Sequence, residues 1–296
     1  MTQKEKYQMI LEKFNIKEYF DKGFKGQDVK IASIESLTSK HGRNVYLTLK
    51  TYAPLCDVYS FNDEMGVSAT GDQNTIDTIM FPKFVDWCIE KGIDIVTSSL
   101  CWGADEDVER KAIQKLYEHG IIFCNCAGND GDEDILNEGH DASNIDVGVI
   151  SVSGVSINDK GEIKWASRDY GNAIDVLGIS ENLPILYDAD KFMAWSGTSA
   201  ATPFIASMFA VLKSYDNRLN SKNVDKYIED YSSILTHNSW GYLVFKMPKL
   251  TKTWQEEFKE SWDKATLLGV VDGTRPNNYI TRNELIVILD RLNLLK

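Results

Sequence analysis

Five short apolar runs, separated by amphipathic stretches, constrain this chain more than any other feature. Residues 29–34, 57–61, 93–100, 121–126 and 147–155 are rich in Val, Ile, Phe and Cys and bounded by turn formers, so they read as buried strands. Between them, Phe84, Val85, Cys88 and Ile89 recur at helical spacing, and Gly92 supplies the stop. Val108, Ala112, Ile113 and Leu116 do the same and end at Gly120. Pro82 starts or kinks the first of these helices, because it has no N–H to give. Strands alternating with helices require crossover connections. The expected fold is therefore α/β: three layers, with a mainly parallel sheet between helices. Sites in such sheets form beyond the carboxyl ends of the strands. That rule singles out Glu35, Cys101-Trp102-Gly103 and Ala127-Gly128-Asn129.

The chain of 296 residues is long enough for one large domain, expected over residues 1–248, with a short helical appendage over 249–296. No apolar run reaches the ~20 residues needed to span a bilayer. The start, Met1-Thr2-Gln3-Lys4-Glu5-Lys6, lacks the apolar stretch of a secretory signal, so a cytoplasmic location is expected. Five cysteines, Cys56, Cys88, Cys101, Cys124 and Cys126, form an odd count set largely in apolar segments. They read as reduced core thiols, not as a disulfide framework or a metal site. The net charge of −12 disfavours nucleic acid and anionic membrane as partners. It leaves room for a bound Ca²⁺, although no regular Asp/Asn loop names a site.

Beyond Pro248 the composition changes. Two helical patterns, 254–268 and 281–292, flank the turn-rich Asp272-Gly273-Thr274-Arg275-Pro276-Asn277-Asn278. About 45 residues bury too little to stand alone, so this tail is expected to pack on the main domain, a second copy or a partner.

The chemistry centres on Ser196-Gly197-Thr198-Ser199-Ala200-Ala201-Thr202-Pro203, followed by Phe204, Ile205, Met208, Phe209 and Leu212 at helical spacing. A buried helix is expected to start near Ser199, with Pro203 confined to its first turn. Ser199 then sits at the positive end of that helix, where backbone N–H groups favour a developing oxyanion. Taken alone, Thr-Ser before a helix is only an N-cap signal.

Gly197-Thr198-Ser199-Ala200-Ala201-Thr202-Pro203 resembles the nucleophile motif of the subtilisin-like serine peptidases. Upstream, Ala127-Gly128-Asn129-Asp130-Gly131 after a buried strand resembles the oxyanion segment of that family, with Asn129 as the amide donor. Ser99-Leu100-Cys101-Trp102-Gly103 resembles the strand end to which an extended peptide substrate adds its backbone, with Cys101 in place of the usual glycine. His41-Gly42 matches the catalytic histidine motif. The other "His-Gly", His119-Gly120, ends an amphipathic helix and is an ordinary stop. Residues 45–49 after His41 alternate and on their own read as strand, whereas the resemblance implies a helix.

The resemblance spans about residues 15–248 and departs from the family at the acid. Glu35-Ser36-Leu37 stands where the family has Asp-Ser/Thr-Gly, and only five residues separate Glu35 from His41. A carboxylate in hydrogen-bond reach is all that orienting a histidine requires, so a Glu35–His41–Ser199 variant triad is expected. The tail, through Trp262-Asp263-Lys264-Ala265 and Ile280-Thr281-Arg282-Asn283-Glu284, resembles a single surface-layer-homology-like repeat. Such a segment implies docking, oligomerisation or cell-wall contact.

Two functions compete. The first is a serine endopeptidase acting on a polypeptide through an acyl-enzyme. The second is a pseudopeptidase that binds peptides, favoured by Glu35-Ser36-Leu37, Arg43-Asn44 and Cys101-Trp102. An α/β-hydrolase esterase is excluded, because Gly197-Thr198-Ser199-Ala200-Ala201 lacks the second glycine of a nucleophile elbow.

Overall fold

A computed structural model describes residues 1–65, 80–100, 106–131, 148–166 and 168–250. The chain enters through α1 (Gln3–Lys13) and α2 (Ile16–Asp21). It then runs β1 (Lys30–Ser33), α3 (Lys40–Tyr52), β2 (Asp57–Ser60), α4 (Phe61–Met65), α5 (Phe81–Lys91), β3 (Ile95–Ser98), α6 (Glu106–Glu118) and β4 (Ile122–Cys126). The second half adds β5 (Ile150–Ile157), β6 (Ile163–Trp165), β7 (Val176–Ile179), β8 (Leu183–Asp188), β9 (Lys191–Trp195), α7 (Thr198–Tyr215), α8 (Val224–Tyr231), β10 (Ser232–His237) and β11 (Trp240–Phe245). The expected tail helices lie beyond residue 250, outside the described residues.

Among the described residues, seven strands form one sheet in the order β2-β1-β3-β4-β5, continued by β7 parallel and β6 antiparallel to β5. The pairs along β2-β1-β3-β4-β5 are all parallel. On one face, Ala32, Ile34, Val96 and Phe123 pack with Phe84, Val85 and Cys88 of α5 and with Ala112, Ile113 and Leu116 of α6. On the other, α7 crosses β3, β4, β5 and β7 and packs against α3. The three-layer α/β architecture with a mainly parallel sheet is thus observed. Among the described residues, the antiparallel pairs β8–β9 and β10–β11 form separate two-stranded sheets, with β11 packed against β7. Among the described residues, no helix is long and apolar enough to cross a membrane.

The strand order sets where a site forms. From β1 the chain goes to β2 on one side, and from β3 it goes to β4 on the other. The crevice between the carboxyl ends of β1 and β3 is therefore the switch point of the sheet. Ser33 pairs with Thr97 and Ser98 with Asn125, so Glu35, Ser99 and Cys126 end their strands at one level.

Three local expectations needed correction. Residues 45–49 are helical, inside α3, with Val45, Thr48 and Leu49 turned to the core. The alternation misled because Thr48 is buried with its hydroxyl bonded back to the Asn44 carbonyl. On α6 Glu109 is buried, at 0% exposed, while Val108 is 48% exposed. Counting back three and four residues from Ala112 and Ile113 leads to Glu109, not Val108. Finally, α7 starts at Thr198, so Pro203 is its sixth residue and lies inside the helix, beyond the first turn.

Helix α7 is buried at every residue from Ala200 to Leu212, which a helix apolar on all sides demands. Phe204 meets Phe14 and Tyr52 edge-on, with ring centroids 5.3 and 4.9 Å apart. The helix lies tight on β7: a Cβ on Gly178 would stand 2.7 Å from the Ala201 carbonyl oxygen and 3.0 Å from its Cβ. Gly178→Ala is therefore expected to lower the unfolding free energy by about 1–3 kcal/mol, through overpacking. A urea titration of the purified variant measures it, and an unchanged midpoint would contradict so close a seat for α7.

Candidate active site

The site assembles from loops at the carboxyl ends of β1, β3 and β4 and from the start of α7. Glu35, two residues past β1, is 1% exposed. Its Oε2 accepts from the Ser33 hydroxyl at 2.6 Å, and its Oε1 accepts from the Ser99 backbone N–H. That second bond crosses the switch point and ties the ends of β1 and β3 together. Burial pushes the Glu35 carboxyl above the usual carboxylate range, opposed by the Ser33 hydroxyl, the His41 charge and the Ser99 N–H.

The short path from Glu35 to His41 is closed by side chains. Ser39 caps α3, accepting from the Gly42 N–H at 2.9 Å, while its hydroxyl donates to the Ser36 carbonyl at 2.9 Å. Asp63 on α4 holds the same loop, accepting from the Leu37 N–H at 2.8 Å and from the Ser36 hydroxyl. Gly42 is needed for this approach, since a Cβ there would lie 2.0 Å from the Ser36 carbonyl oxygen. His41 thus stands in the first turn of α3, half-buried. Its ring meets Trp195 edge-on at 5.9 Å between centroids. Among the described residues His41 makes no hydrogen bond to Glu35 or Ser199.

Gly128 at the end of β4 has φ 130 and Gly197 before α7 has φ 110, conformations that favour glycine. Between them they bring Asn129 against the start of the helix, where its Oδ1 accepts from the Thr198 N–H at 2.9 Å. The residue itself is exposed. Ser199 follows Thr198 directly. Its hydroxyl donates to the Ser99 carbonyl at 3.1 Å, and the Ser99 hydroxyl donates to the Ser199 carbonyl at 3.0 Å.

The sequence-expected residues therefore divide. Glu35, Ser99 and Ser199 are joined by direct hydrogen bonds, and Asn129 joins them through Thr198. Ala127 and Gly128 are buried at the end of β4. Leu100 packs against the α5–α6 core. Cys101, Trp102 and Gly103 lie outside the described residues. Sequence reasoning missed Ser33, Asp63 and Trp195. Ser33 and Trp195 carry a signal, as the strand residue two before the acid and the residue two before the Gly-Thr-Ser turn. Asp63 acts only through tertiary contact and has none. Among the described residues, no group of three or more His, Cys, Asp or Glu could hold a metal ion. Cys56, Cys88, Cys124 and Cys126 are buried free thiols.

The Glu35 environment has a pH consequence. A raised folded pKa means that the folded state binds the proton more tightly than the unfolded chain. The stability it contributes is full below about pH 4.3, the value for an unperturbed glutamate, and is lost as pH rises through the folded value. Relative to Glu35→Gln, the parent is expected to lose stability as pH rises from about 4.3 through the raised folded value. Urea unfolding of both proteins across that range measures it, and a difference growing in the opposite direction would contradict the assigned environment.

The subtilase family model (peptidase S8) matches residues 37–243, starting just beyond Glu35. The minor extracellular protease Epr of Bacillus subtilis is 26% identical over 268 residues, covering 79% of this chain and 40% of that protein. The major intracellular serine protease of the same organism is 27% identical over 133 residues, covering 45% and 40%. The chain thus spans about two fifths of the length of these curated relatives. Among solved structures, fervidolysin from Fervidobacterium pennivorans superposes with a TM-score of 0.65 at 14% identity, covering 81% of this chain and 44% of that one. The prenylagaramide maturation protease PagA gives 0.60 at 18% identity, covering 79% and 96%. These likenesses establish the fold, and with a family match over most of its length the chain belongs to the subtilase family.

Proposed function

We propose that this chain is a serine endopeptidase, hydrolysing peptide bonds through an acyl-enzyme with Ser199 as nucleophile and His41 as general base. The observation that carries the reading is the start of α7. There Thr198 and Ser199, adjacent in sequence, hold Asn129 and present a hydroxyl at the switch point of the sheet. Ser199 on α7 and Asn129 on the loop after β4 are thus tied to one rigid helix start, an arrangement that suits preorganised catalysis.

Ser199 Oγ attacks the scissile carbonyl carbon while His41 takes its proton. The tetrahedral oxyanion accepts hydrogen bonds from the Asn129 amide and the Ser199 backbone N–H. Collapse expels the amine with the proton from His41, and water then releases the acyl group by the same steps. Glu35 offsets the positive charge that develops on His41; the electrostatic interaction between the two groups supports the role. For the first step the Ser199 hydroxyl turns from the Ser99 carbonyl to His41, a bond of the kind that tightens only with substrate bound. The substrate is a polypeptide in extended form, laid beside the strand end at Ser99 and Leu100.

Fluorophosphonate labelling of the purified protein tests this. Labelling is expected for the parent and abolished by Ser199→Ala and by His41→Ala, with a sharp drop for Glu35→Ala. Asn129→Ala is expected to lower turnover by about 10²–10³, the cost measured for such a donor on a subtilisin. A folded parent that takes no label would leave a peptide-binding module in place of the peptidase.

A further inference from the structure

Resting on the peptidase reading above, we infer that Ser99 is a positioning residue: its hydroxyl clamps the nucleophile in place through the one main-chain carbonyl that Pro203 leaves free.

The argument starts from a missing donor. In an α-helix the N–H of residue 203 bonds to the carbonyl of residue 199. Pro203 has no N–H, and a proline ring crowds that same carbonyl outward. An interior proline with an unreplaced bond destabilises a helix strongly. Here the freed acceptor belongs to Ser199 itself, and the Ser99 hydroxyl donates to it at 3.0 Å. Neighbouring hydroxyls do not do this work. Thr202 bonds back to the Thr198 carbonyl at 2.9 Å, and Ser207 bonds to the Pro203 carbonyl at 2.6 Å.

Ser99 is well placed to act as a fixed point. It is 4% exposed and follows directly on β3, a strand buried at all four of its residues. Its N–H donates to Glu35, its hydroxyl to the Ser199 carbonyl, and its carbonyl accepts from the Ser199 hydroxyl. Both the acid and the nucleophile are thus referred to one residue. A change at Ser99 is transmitted to the height and rotation of the first turn of α7, where small misplacements are costly in rate. The Ser99 side chain touches no reacting atom, so its effect belongs to the rate of the chemical step and not to binding.

A double-mutant cycle of Ser99→Ala and Pro203→Ala decides this, because Pro203→Ala restores the helical donor and makes the Ser99 hydroxyl redundant. Fluorophosphonate labelling gives the maximal rate and the half-saturating probe concentration for each variant. In the parent background Ser99→Ala is expected to lower the maximal rate about tenfold, the effect of one positioning hydrogen bond, with half-saturation within about twofold. In the Pro203→Ala background it is expected to cost less than about twofold. An equal loss in both backgrounds, no loss, or a change confined to half-saturation would overturn the proposal. The same cycle read in thermal unfolding separates it from the wider reading. If the folded parent takes no label, the peptidase reading falls, while a Ser99→Ala shift in midpoint that vanishes with Pro203→Ala upholds the clamp. Equal shifts in both backgrounds refute it.

Discussion

Everything at the site depends on the burial of α7. From Ala200 to Leu212 this helix is enclosed by the sheet, α3 and the aromatic rings of Phe14 and Tyr52. A fully apolar helix has one way to satisfy itself, and its axis is set by contacts as close as that between Ala201 and Gly178. Ser199 inherits that rigidity, as the second residue of the helix. The Thr198 N–H, left over at the helix start as such donors are, becomes the anchor of Asn129. Packing energy is thereby converted into position.

Glu35 is held by a different balance. A carboxylate removed from water is costly unless it finds donors, and Glu35 finds the Ser33 hydroxyl and the Ser99 N–H. The His41 charge adds to them. Because the Ser99 N–H lies across the switch point, the residue that departs from the family pattern also joins β1 to β3. The short loop behind it needed its own scaffold, which Asp63, Ser39 and the bare Gly42 provide.

Much of this was legible in the residues, and the failures have physical reasons. The strands β1 to β4 and the caps at Gly92 and Gly120 follow from runs and stops that act locally. The Gly-Thr-Ser turn and Asn129 carried both a local signal and a resemblance. Period failed at residues 45–49, where a buried Thr48 satisfies its hydroxyl within the helix, and at Glu109, where a charge sits on the apolar face. Pro203 was placed by a rule about lost N–H groups that holds unless another donor arrives. That donor, Ser99, comes from a hundred residues away in sequence, where no local rule reaches. Asp63 is equally silent, since its partners at Ser36 and Leu37 meet it only once the loop is folded.

The same remoteness bears on how the molecule comes into being. The bonds that join Glu35 to Ser99, and Ser99 to Ser199, close loops of 64 and 100 residues. Loop closure on that scale is slow, because chain entropy is spent before contacts return it. During synthesis the parallel pairs of β1 to β4 can form while α7 has yet to leave the ribosome, and that partial sheet lacks Ser199 and its bonds to Ser99. The pairing of Ser99 with Ser199 is therefore completed late, with the threading of one helix. A chain caught halfway holds Glu35 against Ser99 but has nothing yet to meet the Ser99 hydroxyl.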